Sequence, residues 1–131
     1  MTTEISYLVW TTMVTSIMWV PYILNSFVVR GILDTVSYPL DPKPLSPWAS
    51  RMKAAHANAV ENLVVFGLLV LAAHVMNITN SVTATACVIY FWSRIVHLGA
   101  YTLGIPWVRT LGFLGGFGAQ VTIALQIVLS P

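Results

Sequence analysis

The stretch AHANAVENLVVF, Ala55–Phe66, decides how this chain is read. A histidine, two asparagines and a glutamate stand immediately ahead of a long apolar run. The uninterrupted part of that run, Leu63–Ala73, covers only about 16 Å as a helix, roughly half a bilayer's hydrocarbon core. If it crosses a membrane, the span begins before Leu63. Asn58, Glu61 and Asn62 then lie below the headgroups, where polar groups are costly unless they are partnered or working.

The rest of the chain makes a membrane the natural solvent. Its 131 residues are 57% hydrophobic and 8% charged, with mean hydropathy +0.81. A soluble domain of this size needs far more surface charge. Four segments are long and apolar enough to span, 5–29, 48–75, 82–103 and 110–129. Their runs are continuous, without the alternation of a spanning β-barrel. The expected fold is therefore an all-α membrane protein, residues 1–131 forming one four-span domain. Short second and third connections make neighbours antiparallel, giving an up-down-up-down transmembrane four-helix bundle. The first span has no basic stretch ahead of it and runs too long for a signal peptide, so it is read as a mature helix.

The net charge of +2 is small and scattered, which gives nucleic acid no footprint. Arg30, Lys43, Arg51, Lys53 and Arg109 fall on the side of the first and third connections. The positive-inside rule places those connections in the cytoplasm and both termini opposite. The first connection, roughly 30–47, carries Pro39, Pro42, Pro44 and Pro47 and reads as a stiff surface loop. Gly112 and Gly116 have the four-residue spacing that lets helices approach closely in lipid, a packing signal without chemistry. Cys87 is the only cysteine, and it reads as a small buried hydrophobe. Asn25 is a polar residue of the first span that more naturally faces another helix than a ligand. No residue set suggests a metal site.

Two polar stripes carry the functional reading. On the second span, Arg51, Asn58, Glu61 and Asn62 meet the helical spacing of three, four and seven, while His56 points elsewhere. On the third, Tyr90, Arg94, His97 and Tyr101 form one stripe. Glu61 and Arg94 fall at similar depths counted from Trp48 and Gly104. A lone charge at mid-bilayer costs about 2.5–3.5 kcal/mol on insertion scales. An ion pair between them offsets much of that cost and is expected. Paired charges can simply fix helix register, but more polar groups gather here than one pair needs, which favours a site for a charged ligand.

These residues have a recognisable pattern. AHANAVEN, Ala55–Asn62, resembles the A-H-x-N-x-x-E-N signature of microsomal glutathione transferases, within the superfamily of membrane-associated proteins in eicosanoid and glutathione metabolism (MAPEG). RIVHLGAY, Arg94–Tyr101, resembles the matching third-helix motif, and PWVRT, Pro106–Thr110, the start of the fourth helix. The resemblance implies a homotrimer with glutathione as co-substrate between subunits near the cytoplasmic face. It implies that Asn58, Glu61, Arg94 and Tyr101 bind glutathione; Arg51 is added to that set from its place on the second-span stripe, with His56, Asn62 and His97 in support. Arg109 would activate the thiol and Thr110 would stand near the sulfur. Ala54 occupies the position where the family usually has an arginine.

The implied function is a membrane glutathione transferase- or peroxidase-like activity on hydrophobic electrophiles or lipid hydroperoxides arriving from the bilayer. Two other readings compete with it. One is a non-catalytic membrane subunit of a larger complex that retains the fold. The other, a proton or ion channel, fits less well because the polar groups gather in one half of the bilayer.

Overall fold

A computed structural model describes all residues, 1–131. Five helices follow one another: α1 Thr3–Ile17, α2 Trp19–Val36, α3 Pro47–Val75, α4 Ser81–Leu103 and α5 Pro106–Val128. α1 and α2 together make the first crossing, and α3, α4 and α5 make the other three, so four apolar segments are long enough to span a membrane. The protein is an all-α, integral, multi-pass membrane protein.

Where the first crossing departs from a single rod, the sequence supplies the cause. Pro21 lacks an N–H, and its ring collides with the carbonyl four residues earlier, at Ile17. α1 accordingly stops at Ile17, and Met18 closes a tighter turn by donating its N–H to Thr15 O at 3.3 Å. Further on, the helical path runs past the expected end at Val29 to Val36. Gly31 bends it with φ 80°, ψ 169°, a region open only to glycine. The Ser26 and Thr35 hydroxyls, 3.1 Å apart, tie the turn beyond Gly31 back onto α2. The proline-rich connection is thereby shortened to residues 37–46.

That connection is pinned by polar side chains. Arg30 Nε donates to Lys43 O at 2.6 Å. Asn25 Oδ1 accepts the Ser46 N–H at 3.0 Å, and its Nδ2 donates to Ser46 Oγ at 2.8 Å. Asn25 thus fixes Ser46, the residue ahead of α3, where Pro47 at the first helical position needs no donor partner. At the opposite end, Asn80 and Thr83 form a capping box for α4. There the Thr83 hydroxyl also lies 2.6 Å from Glu4 Oε1, and Glu4 is buried. The only charged residue on that side of the bundle is therefore a link between α1 and α4.

The interior follows helical periodicity. Phe66, Val70 and Ala73 of α3 meet Ala86, Cys87 and Tyr90 of α4 and Ala119 and Ile123 of α5. Phe66 and Tyr90 stack with ring centroids 3.7 Å apart. The outer faces carry Trp10, Leu24, Val64, Leu68, Trp92, Phe117 and Leu125, all exposed. That surface suits hydrocarbon, where exposed aliphatic side chains cost nothing.

α5 lies closest against α4, because glycine makes room. A Cβ at Gly112 would stand 3.0 Å from the backbone N of His97 and O of Ser93. One at Gly116 would come 3.4 Å from Arg94 Cδ. By contrast, a Cβ at Gly118 meets nothing within 4 Å. Gly112→Val should therefore force α5 off α4 and destabilise the protein by about 1–3 kcal/mol. Gly118→Ala should unfold at the same or a slightly higher temperature, since alanine favours helix over glycine and meets no neighbour there, and the two melting curves compare them directly.

Candidate functional site

The half of the bundle bounded by the α3 N-terminus and the α4–α5 turn holds most of the polar side chains. Arg94 projects from α4 into the bundle and is 8% exposed. Its Nη2 donates to Asn58 Oδ1 on α3 at 2.7 Å. Arginine carries only donors, so this contact fixes the orientation of the Asn58 amide: oxygen toward Arg94, Nδ2 left over. The Nδ2 group makes no hydrogen bond within the chain. Asn62, one turn on, donates from Nδ2 to Asn58 O at 2.9 Å. Its own carbonyl accepts Gln120 Nε2 of α5 at 3.2 Å, so three helices are tied at this level.

The expected Glu61–Arg94 ion pair does not form in the chain. Glu61 is exposed, and Arg94 spends its nearest donor on neutral Asn58. The reason lies in rotation about the helix. Each residue turns about 100°. Asn58 lies about 60° round from buried Ala55 and still reaches Arg94, whereas Glu61 lies about 120° round and faces outward.

Asn58 opens onto a cleft of about 310 Å³ shared with His97, Tyr101, Arg109, Thr110 and Phe113. The Arg109 guanidinium sits over the Tyr101 ring, 4.9 Å from its centroid. His97 packs edge-on to Tyr101 with centroids 5.5 Å apart and tilts against Phe113. His97 is 3% exposed and makes no hydrogen bond within the chain. No carboxylate lines the cleft. Its walls offer a guanidinium, a free amide NH₂, a phenol and an imidazole. Such a lining complements a ligand rich in acceptors and negative charge.

Several expected residues take distinct places. Arg109 and Thr110 are brought together at the start of α5, beside Tyr101 and Asn58. The Thr110 hydroxyl donates back to Pro106 O at 3.0 Å, so its proton is held within α5 and its lone pairs remain. Arg94 stands behind the cleft wall. It lines a separate internal cavity of about 20 Å³, with Thr15 and Tyr90 among its neighbours. Arg51 reaches the last turn of α4, donating from Nε to Thr102 O at 2.9 Å. His56 turns away and pairs through Nδ1 with the Tyr22 hydroxyl at 2.9 Å.

Phe113 and Gly104 were not legible as site residues. Phe113 stands one turn beyond Arg109, a spacing that would have placed it on the same face. Gly104 is the left-handed cap of α4, φ 76°, and its role depends on the arginine beside it.

Four spans, with a polar cleft formed where α3, α4 and α5 meet at one end of the bundle, define a multi-pass membrane protein of the four-helix-bundle class. The MAPEG family model matches residues 9–129, and the chain belongs to that family. No individually curated protein matches the sequence.

Asn58 is the single acceptor that Arg94 has in the chain, and hydrogen bonds to charged groups are worth about 1.5–3 kcal/mol. Asn58→Ala should lose stability of that order in equilibrium unfolding followed by circular dichroism in mixed micelles, and should weaken ligand binding to the cleft as well.

Proposed function

We propose that this protein is a membrane glutathione transferase or peroxidase, closest in kind to the microsomal glutathione transferases. The observation that carries the reading is the cleft in which Arg109, Tyr101 and the Asn58 amide converge with no carboxylate among them. Family membership supports a glutathione-related activity at the level of the family.

Glutathione enters from the cytosolic side, with the Pro47 end of α3 and the α4–α5 turn facing the cytoplasm. Asn58 Nδ2 and Tyr101 hold its peptide groups, and Arg94 positions Asn58 from behind. A free thiol has a pKa near 8.5, and the anion is the nucleophile. The Arg109 guanidinium favours that anion without itself losing a proton. The positive end of α5 adds to the same field. The released proton passes to water at the open mouth. Thr110, whose hydroxyl hydrogen is engaged with Pro106, offers a lone pair to the thiol before ionisation.

The electrophile arrives from the lipid along the apolar outer surface. Attack on an electrophilic carbon forms a thioether and expels the leaving group. Attack on the terminal oxygen of a lipid hydroperoxide forms a sulfenic acid and an alkoxide, which takes up a proton. A second glutathione then converts the sulfenic acid to disulfide and water. The active unit is a homotrimer. Glu61, turned outward on α3, contributes at the subunit boundary, where a neighbouring chain or the ligand's amino group meets it.

Mixing the protein with glutathione in a stopped-flow spectrometer should give a rise in thiolate absorbance. Arg109→Ala should abolish that rise and lower kcat/KM by about a hundredfold, the scale of losing one electrostatic stabiliser. A wild type without a thiolate signal, or an Arg109→Ala signal equal to wild type, would refute the proposal.

A further inference from the structure

Arg94 has more donors than the chain gives it acceptors. A guanidinium carries five N–H groups and accepts nothing. Nη2 meets Asn58 Oδ1, and the other nitrogens make no hydrogen bond within the chain, although the residue is buried. A buried donor without an acceptor is costly, the more so on a charged group.

The internal cavity of about 20 Å³ that Arg94 lines is bounded by α1, α3 and α4. About 10–15 Å³ of such space holds one water molecule. An acyl chain or a peptide is far too large for it. Cavities that stay dry are apolar, and this one has polar walls. Thr11 and Thr15 of α1 line it, and both are buried. Thr15 Oγ1 donates to Thr11 O at 2.8 Å, and Thr11 Oγ1 donates to Tyr7 O at 2.6 Å. Each hydroxyl has thereby committed its one proton, and its oxygen can only accept. Tyr90, also on the wall, has a buried hydroxyl with no partner in the chain.

Depth singles out Thr15. Met18 of α1 packs with Ala55 of α3, and the two helices run in opposite directions. Three residues back along α1 and three on along α3 bring Thr15 level with Asn58, and so with Arg94. No direct hydrogen bond joins Arg94 to Thr15. An occupant between them has to accept from the arginine and donate to the threonine oxygen. Water does both. A halide accepts but has no proton to give, and hydrocarbon does neither.

We infer that this cavity is a binding site for one ordered water molecule, which accepts from the Arg94 guanidinium and donates to Thr15 Oγ1, with the Tyr90 hydroxyl as a further partner. Arg94 is then held from two sides, by Asn58 of α3 directly and by Thr15 of α1 through water. Thr15 becomes a positioning residue for the Asn58 amide, although it does not line the cleft. The inference rests on the packing of the bundle and is independent of which ligand the cleft receives.

Crystals of the full chain grown from a lipidic mesophase, at a resolution that shows ordered solvent, test it in wild type, Thr15→Ser and Thr15→Val. The expected result is a water peak within hydrogen-bond distance of Arg94 and residue 15 in wild type and Thr15→Ser. Thr15→Val, which keeps the shape but has no lone pairs, should lose the peak. In mixed micelles Thr15→Val should raise the unfolding equilibrium constant about tenfold, and Thr15→Ser should restore most of it. On an Arg94→Met background Thr15→Val should cost much less, because the bridge is already gone. A role for Thr15 confined to its bond with Thr11 would give the same loss on both backgrounds and would overturn the bridge. So would a dry or hydrocarbon-filled cavity in the wild type, an anomalous peak there from bromide, or a water that stays in place in Thr15→Val. If a variant does not fold, the wild-type map still decides whether the cavity holds water between Arg94 and Thr15.

Discussion

A guanidinium buried among apolar helices has to be answered by something, and here Asn58 answers Arg94. Their 2.7 Å contact does more than offset the cost of a buried charge. A neutral acceptor leaves the positive charge standing, where a carboxylate would cancel it. Because the amide has two ends, engaging its oxygen presents its nitrogen on the other side. A buried cation on α4 thus becomes an oriented donor at the edge of a cleft between α3, α4 and α5. The field and the donor have the same preference, for a negatively charged ligand.

That contact depends in turn on how close α5 can come. Gly112 lets α5 rest against the backbone of α4, and Gly116 leaves room for the aliphatic stem of Arg94. Gln120, one turn further, closes the arrangement by donating to Asn62 O. The small-residue spacing on α5 is therefore a packing device with a consequence for chemistry. It delivers Arg109, at the start of the same helix, to the face of Tyr101. In lipid, where apolar burial drives no association, such close contact and interhelical hydrogen bonds hold the bundle together.

The four spans and the all-α architecture were legible because a bilayer dictates length and hydropathy directly. The polar stripes on α3 and α4 were legible for the same reason, since Asn58, Arg94, His97 and Tyr101 interrupt runs that lipid would otherwise keep apolar. Rotation was the harder quantity. Glu61 and Arg94 match in depth, and that match pointed to a Glu61–Arg94 pair where the contact is in fact with Asn58. The packing of Ala55, Ala59 and Phe66 settles which one turns inward. The first span was expected unbroken over 5–29, and neither the break ahead of Pro21 nor the bend at Gly31 was anticipated. The partner of Glu4 is Thr83, 79 positions along the chain, a contact no local pattern discloses. Arg51 could be counted as a charge, yet its locking against Thr102 O and Gly104 joins residues about fifty positions apart, beyond any local pattern.

The central claim is that a carboxylate-free cleft, oriented by Arg94 through Asn58, receives an anionic thiol. A cryo-electron-microscopy map of the protein in lipid with glutathione tests it most directly. The account predicts ligand density between Asn58 and Tyr101, with the sulfur toward Arg109 and the Asn58 amide oxygen still on Arg94. A cleft filled by an acyl chain, or an Asn58 amide turned away from Arg94 with glutathione bound elsewhere, would contradict it.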